Sequence, residues 1–262
     1  MTKKETYLTC DYPNVYEGMT SISALIKRCE LSNDICEKIN KVMVDKAKIK
    51  SKARELSFLR QKSSKFGFII ELVDANVIDK YTTGSTHGGI IAFSSPRDIP
   101  ALFSNIDKIH DHGAYIMLDG IEDPYNFGYS VRSVYSAGID GIIIPKRNWM
   151  TVAGIVAKSS AGASELIDMY VSDPEEAINL FKDKGYKIIC SGIRNSISMY
   201  DADMKKPVFL IVGGEKRGIS SSIEKNADLI ARVEYGREFK GSLSTASAAT
   251  IMAYEIFRQN KQ

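Results

Sequence analysis

The sequence contains no apolar run that approaches the ~20 residues needed for a membrane-spanning helix. Its N-terminal segment also lacks the apolar core of a secretory signal. The four cysteines lack the CxxC spacing of metal sites, and nothing in their arrangement indicates an oxidising compartment. We therefore expect a cytoplasmic protein with reduced thiols, no metal and no membrane partner.

Several well-known cofactor and catalytic signatures are absent as well. The chain has no GxGxxG, P-loop, HExxH or GxSxG pattern. These absences argue against a nucleotide-like cofactor held in the Rossmann manner. No internal repeat or low-complexity tract is present, so the chain is not a repeat array.

What is present describes an ordinary soluble globular protein with an uneven charge distribution. The chain has 262 residues, of which 44% are hydrophobic and 26% charged, enough for one large domain or two smaller ones. The formal net charge is only +3, yet residues 38–65 carry ten lysines and arginines against two acidic residues. Within one predicted helical region, this excess favours contact with a polyanion over a merely solvated helix face.

Residues 1–96 are expected to form a small α/β domain. The pattern predicts a helix over 19–31, a strand over 66–73, a helical turn over 76–81 and a strand over 90–93, after a loose N-terminal segment. His87, in a glycine-rich loop before the last strand, is either structural or ligand-binding, and the structural interpretation is favoured. Prolines beyond residue 94 indicate a linker, which we assign to 97–113.

Residues 114–262 alternate apolar runs with helical segments. The runs predict strands over 114–118, 141–144, 187–190, 208–212 and 229–233, and helices near 129–137, 152–163 and 175–184. Asp173, Pro174 and Gly185 mark the ends of the last of these helices. The fold class is therefore α/β with a parallel sheet.

Three segments that follow predicted strands contain candidate site residues. In open α/β sheets, ligands bind beyond the carboxyl ends of the strands. Asn126 and Arg132 lie in the first segment, where a cation in the first turns of a helix suggests either an anionic partner or a surface salt bridge. Gly213 and Gly214 would allow a close backbone approach. The small residues of 242–250 indicate tight helix–sheet packing, a bound ligand, or both.

In order and spacing, these segments resemble the three motifs of the SpoU/TrmH family of RNA ribose 2′-O-methyltransferases, part of the SPOUT superfamily. The matching stretches read LDGIEDPYNFGYSVRSVYSAGIDGIIIPKR, VGGEKRGIS and GSLSTASAATIMAYE. Residues 1–96 are similar to the RNA substrate-binding domain of the ribosomal-RNA branch, through EGMTSISALIKR and TTGSTHGGIIAF. The resemblance implies a SPOUT methyltransferase domain over 114–262 with a deep trefoil knot, and a homodimer that methylates RNA, with ribosomal RNA as the expected substrate.

The resemblance also implies site residues. S-adenosylmethionine would be held by Gly213, Gly214, Val233, Ser242 and Leu243. The polar site residues would be Asn126, Arg132, Glu215 and Ser244. Because an arginine is a poor base at neutral pH, we expect Arg132 to stabilise developing negative charge and to contact a phosphate.

The third motif departs from the family pattern, which normally reads Ser-Leu-Asn-Val-Ser. Here Ser244 replaces the asparagine and Ala246 replaces the second serine. A serine keeps a hydroxyl but loses the reach and the two donors of an amide. The alternative to an active enzyme is therefore a non-catalytic RNA-binding or ribosome-assembly factor that retains the SPOUT fold. The apolar residues Ile251, Tyr254 and Phe257 of the last helix would lie in the dimer interface.

Overall fold

The computed structural model describes residues 14–31, 39–82, 86–95, 98–146, 153–214 and 218–261. The chain divides into two compact units: unit 1 comprises Met1–Asp98 and Trp149–Lys158, and unit 2 comprises Ile99–Asn148 and Ser159–Gln262. Within the described ranges, none of the helices combines the length and the apolar character that crossing a bilayer would require.

Unit 1 is built on a four-stranded mixed sheet in the order β1-β4-β2-β3. Strands β2 and β3 are parallel, and β4 runs antiparallel to both β1 and β2. In chain order the elements are β1 (Asn14–Glu17), α1 (Gly18–Leu31), β2 (Ile39–Asp45), α2 (Ala53–Phe66), β3 (Ile69–Val73), α3 (Ala75–Ile78) and β4 (Ile90–Ser94).

The basic stretch of unit 1 is not one helical region, as the sequence had suggested. Its first part is β2, in which Val42, Met43 and Val44 are buried, and its second part is α2. The strand was not predicted because the interpretation rested on the lysines and arginines and overlooked the short apolar run between them, which includes the β-branched Val42 and Val44. Residues 14–17 of the segment that was predicted to be loose form strand β1, in which Tyr16 is fully buried in the core.

A segment far along the sequence completes unit 1. Helix α5 (Ala153–Ser159) places Ala153 and Ala157 in the core of this unit. Gly154 lies so close to β1 that a Cβ atom would stand 1.9 Å from the Val15 carbonyl oxygen. Unit 1 is therefore discontinuous in sequence, unlike the predicted domain 1–96. The predicted helix over 152–163 is shorter, because Ala161 and Gly162 have φ values of 52° and 84°.

Unit 2 contains a seven-stranded, wholly parallel sheet in the order β7-β6-β5-β10-β8-β11-β9. All five predicted strands are confirmed, whereas β7 and the very short β9 were not predicted. The strands are β5 (Ala114–Leu118), β6 (Gly141–Ile144), β7 (Asp168–Val171), β8 (Lys187–Ser191), β9 (Ile197–Ser198), β10 (Val208–Val212) and β11 (Leu229–Arg232). Every residue of β5, β6 and β10 is buried, which explains their uninterrupted apolar runs.

The helices of unit 2 are α4 (Pro124–Ser136), α6 (Pro174–Asp183), α7 (Ser221–Lys225) and α8 (Thr245–Asn260). The predicted start of α6 is confirmed, with the Asp173 side chain accepting a hydrogen bond from the Glu175 backbone nitrogen. Helix α4 begins five residues before the predicted start at 129. Its cap is Asp123, whose side chain accepts a bond from the Asn126 nitrogen at 2.8 Å, and Pro124 fits the first helical position.

The predicted linker 97–113 mostly belongs to unit 2. Leu102 and Ile109 are buried in its core, and residues 100–102 hydrogen bond to Val171 at the end of β7.

The structure also tests the predicted state of two cysteines. Cys29 is disulfide-bonded, contrary to the prediction of reduced thiols, whereas Cys190 is a free and buried thiol. Spacing could not predict this, because pairing depends on which cysteines the fold brings together.

Candidate active site

A cavity of about 580 Å³ lies at the carboxyl ends of the neighbouring strands β10, β8 and β11. Its wall is completed by the segment that leads into α8. All five residues that were predicted to hold the cofactor line this cavity: Gly213, Gly214, Val233, Ser242 and Leu243. Residues separated by up to 30 positions in sequence therefore converge on one site.

The two glycines after β10 are required by close backbone contacts. A Cβ atom on Gly213 would lie 2.6 Å from the Gly218 carbonyl carbon. A Cβ atom on Gly214 would lie 2.5 Å from the backbone oxygen of Gly120, the glycine that ends the adjacent β5 segment. No side chain fits at either position, so backbone forms this part of the wall. Glu215, predicted beside them, lies outside the described residues.

Hydrogen bonds fix the start of α8 against the cavity. The Thr245 hydroxyl donates to the Gly213 carbonyl oxygen at 3.0 Å. The Leu243 backbone nitrogen donates to the Tyr235 hydroxyl oxygen at 3.0 Å. The first bond connects the third predicted motif to the turn after β10, 32 residues earlier, and the second connects it to the segment that follows β11. The start of α8 is therefore held against the end of β10 by a long-range contact.

Two of the predicted polar residues lie in a second cavity. This cavity, of about 500 Å³, is lined by α4 and α8 residues, among them Asn126, Tyr129, Ser133 and Ser244. Ser244 is the N-cap of α8, where its hydroxyl oxygen accepts a bond from the Ser247 nitrogen at 3.2 Å. The Ser244 hydroxyl therefore caps the helix as well as lining the cavity.

Arg132 is not brought to either cavity of its own chain. It lies on the exposed face of α4, and its side chain makes no hydrogen bond or ion pair with any residue that the structure describes. Because α4 begins at Pro124, Arg132 lies in the third turn rather than the first. The argument that a cation here opposes the helix dipole is therefore wrong, since that effect fades beyond the first turn.

The charged residues around the first cavity were missed by sequence reasoning. Arg194, Glu224 and Arg232 line it, and Arg232 forms an ion pair with Glu234 at 2.7 Å. Burial, reinforced by the Glu224 carboxylate, raises the pKa of the nearby Cys190 thiol to about 12. This thiol is therefore neutral at physiological pH and is not a nucleophile. Gly192, directly after β8, carried the same strand-then-glycine signal as Gly213 and could have been found.

Comparisons with known proteins agree with this geometry. The SpoU rRNA Methylase family matches residues 113–254. A Staphylococcus saprophyticus protein assigned to the TrmH family of tRNA/rRNA methyltransferases is 30% identical, with 84% of this chain and 88% of that protein covered.

Solved structures share the fold. An AdoMet-bound rRNA methyltransferase from Sinorhizobium meliloti has a TM-score of 0.75 at 22% identity, covering 93% of this chain and 86% of that one. An RNA 2′-O ribose methyltransferase has a TM-score of 0.73 at 16% identity, covering 94% and 88%. From the family match, the sequence identity and the arrangement of the three motifs, we conclude that the chain belongs to the SpoU/TrmH family of RNA methyltransferases.

Proposed function

We propose that this protein methylates a ribose 2′-hydroxyl of RNA, with ribosomal RNA as substrate and S-adenosylmethionine as methyl donor. The observation that carries the proposal is the convergence of all five predicted cofactor residues on one cavity. An AdoMet-bound protein and an RNA 2′-O ribose methyltransferase share the fold, which supports both the donor and the target atom.

The cavity suits this cofactor. Its volume of about 580 Å³ falls within the range of roughly 300–1,000 Å³ that is usual for small-molecule sites. Gly213 and Gly214 leave backbone groups exposed to a ligand, and Val233 and Leu243 offer apolar contact. When bound, S-adenosylmethionine supplies a methyl group from a positively charged sulfur, so that strong activation of the acceptor oxygen is not required.

The chain's own residues must then orient the ribose and help its hydroxyl to lose a proton to phosphate or water. Asn126 lines the second cavity, where its amide can donate to and accept from a ribose or a phosphate. Since a guanidinium is a poor base, Arg132 would stabilise negative charge on the oxygen rather than remove the proton. Glu215, although outside the described residues, keeps its predicted role in this site.

The same geometry supports a homodimer. Arg132 is exposed on the α4 face that also carries Tyr125 and Tyr129, and the neighbouring α8 exposes Tyr254 and Phe257. Several exposed aromatic side chains on two helices that contact each other are typical of an interface. We propose that a second copy covers this patch and that Arg132 of one chain serves the cofactor cavity of the other. The deep trefoil knot and a cytoplasmic location remain predictions of this proposal.

Unit 1 would bind the RNA backbone. Several cations of its basic stretch are neutralised by neighbours, such as Lys62 and Lys65 by Glu30 and Lys52 by Glu55. Four others, Lys48, Lys50, Arg54 and Arg60, form no ion pair with the described residues. Cations without a protein partner suit phosphates, whose neutralisation releases counterions.

The proposal is tested by methyl transfer. The purified protein is incubated with tritium-labelled S-adenosylmethionine and, separately, with naked ribosomal RNA, ribosomal subunits and transfer RNA. We expect label in the ribosomal RNA or the subunits, and nuclease digestion should recover it as a 2′-O-methylated nucleotide. Label in none of the RNAs would contradict the proposal, and label on a base would contradict the 2′-hydroxyl target.

A second candidate function is a non-catalytic RNA-binding or ribosome-assembly factor. The observation that favours it is the altered third motif, in which Ser244 and Ala246 stand where the family motif has asparagine and serine. Calorimetry with S-adenosylmethionine separates the two. A factor that has lost turnover together with its cofactor site would give no binding heat, whereas the proposed enzyme binds the cofactor in the absence of RNA.

A further inference from the structure

A third cavity lies beside the cofactor cavity and has not been assigned a role. It has a volume of about 540 Å³ and shares Val233, Tyr235 and Leu243 with the first cavity. Residues 233–239, Leu243 and Ile251 line it. Two aromatic rings stand in this wall, those of Tyr235 and Phe239, with centroids 6.0 Å apart and planes inclined at 53°. We call this pair the aromatic platform.

The rings of the aromatic platform are held in place although they are not buried. A Cβ atom on Gly241 would lie 2.5 Å from the Phe239 Cζ atom and within 3.3 Å of both Cε atoms, so the ring lies directly against the backbone of Gly241. The side chain of Phe239 is nevertheless 61% exposed. The Tyr235 hydroxyl accepts its bond from Leu243. One side of the Phe239 ring is thus supported by backbone while much of its surface faces solvent.

Charge around the aromatic platform favours an anionic ligand with flat groups. Arg237 lines the cavity and Lys240 follows in the same segment, and neither forms an ion pair with a described carboxylate. Of the two acidic residues there, Glu234 is paired with Arg232, while Glu238 remains as a hydrogen-bond acceptor. Aromatic rings beside cations are the usual surface for single-stranded RNA, whose bases stack while its phosphates contact the cations.

We propose that the aromatic platform is a nucleobase subsite, in which a base of single-stranded RNA stacks on Phe239 and adjacent phosphates contact Arg237 and Lys240. This proposal rests on the proposed function, since it concerns the RNA that is methylated. The shared wall with the cofactor cavity means that a base held here belongs to the target nucleotide or to a close neighbour. The acceptor of Glu238 could then bind an exocyclic amino group of that base.

The test measures base stacking directly in the cofactor-loaded full-length protein. The probe is a single-stranded 12-residue RNA of mixed sequence with one 2-aminopurine, whose fluorescence falls when it stacks. We expect wild-type protein to bind and quench it. Phe239→Ala should weaken binding about tenfold and lose most of the quenching, since stacking on one ring commonly contributes that much. Phe239→Tyr should behave like wild type, because it retains a flat ring.

A matched control is Phe103→Ala. Phe103 is also a highly exposed phenylalanine of unit 2, at 80%, but its segment adjoins β7 at the opposite edge of the sheet. Its removal should leave RNA binding unchanged. Affinity for S-adenosylmethionine, measured by calorimetry, should be equal in all four proteins, which also shows that each variant is folded.

Several results would overturn the subsite. The first is that wild type does not bind the probe, and the second is that wild type and Phe239→Ala bind it equally well. The third is that Phe239→Ala also loses affinity for the cofactor, and the last is that this variant changes its oligomeric state. The third would assign the platform to the cofactor, and the last would assign it to a second copy of the chain. If Phe239→Ala fails to fold, the subsite is tested instead by photo-crosslinking RNA that contains 4-thiouridine to the wild-type protein. Crosslinks within 233–243 support the subsite, and crosslinks only elsewhere overturn it.

Failure of the subsite is distinguishable from failure of the proposed function. Wild type that transfers methyl groups, together with a Phe239→Ala variant of unchanged KM for RNA, overturns the subsite alone. Wild type that binds and quenches the probe but methylates no RNA overturns the methyltransferase function and leaves the base-binding surface standing.

Discussion

The two neighbouring cavities of the active-site region are built in opposite ways. In the cofactor cavity, the wall at Gly213 and Gly214 consists of backbone, because no side chain fits at either position. The second cavity is formed by polar side chains of α4 and α8, with Asn126 and Ser244 among them. The cofactor cavity therefore depends on the absence of side chains at two positions, whereas the second cavity depends on the polar groups that line it. Substitutions should therefore have different consequences in the two places.

The largest effect is expected from adding a single methyl group to the cofactor cavity. Gly214→Ala places a Cβ atom 2.5 Å from the Gly120 oxygen, so backbone must move and the cavity must deform. We expect cofactor affinity to fall by more than tenfold and the free energy of unfolding by about 1–3 kcal/mol, as is usual for overpacked positions. Calorimetry and denaturant unfolding measure the two quantities.

Gly236→Ala is the matched control for this substitution. A Cβ atom on Gly236 would meet nothing within 4 Å, and the residue directly follows Tyr235, which lines the cofactor cavity. We expect wild-type affinity and stability. If Gly214→Ala binds the cofactor as tightly as Gly236→Ala does, the interpretation of this wall as a cavity that tolerates no side chain is wrong.

The next prediction concerns whether Arg132 and the cofactor cavity of one active site belong to the same chain or to two chains. Arg132→Ala removes the proposed charge, and Gly213→Trp blocks the cofactor cavity, so each homodimer should be inactive. A mixture in equal amounts should recover about a quarter of wild-type methyl transfer, because half of the random two-fold dimers contain one intact composite site. Tritium transfer measures the recovery, and native mass spectrometry verifies that heterodimers have formed. Heterodimers without activity would mean that each site lies within a single chain.

A smaller effect separates chemistry from helix capping at Ser244. Ser244→Ala removes the N-cap and should lower the free energy of unfolding by about 1 kcal/mol. Ser244→Asn preserves a good cap and should leave stability nearly unchanged. Any rise in kcat in the asparagine variant therefore reports the chemistry of the second cavity. An unchanged kcat would show that the altered third motif costs this enzyme nothing.

The smallest effects concern the basic surface of unit 1. Lys50→Ala removes a cation without an ion pair among the described residues, whereas Lys62→Ala removes one that Glu30 neutralises at 2.7 Å. We expect the first to reduce the slope of log affinity for RNA against log salt by about one, and the second by less. Binding titrations at several salt concentrations measure both. Equal slopes for the two variants would contradict the division of this surface into paired and unpaired cations.

Sequence and structure agree where burial is complete. Strands β5, β6 and β10 coincide with their predicted bounds, because strands covered on both faces must be apolar throughout and so stand out in the sequence. The start of α6 was equally clear, since Asp173 and Pro174 act locally. Strand β2 was missed because its apolar residues lie among lysines, and α4 was displaced because its cap Asp123 was not identified.

The parallel sheet and the glycine pair after β10 could be predicted from local patterns, because burial and close backbone approach are reflected in neighbouring residues. The five residues that line the first cavity were predicted from the resemblance of three motifs to the SpoU/TrmH family, and not from those patterns. The tertiary structure was needed to show that α5 completes unit 1 and that Arg132 lies away from the cofactor cavity of its own chain. Each of these depends on which distant segments meet, and contacts between distant segments leave no period or spacing in a single sequence.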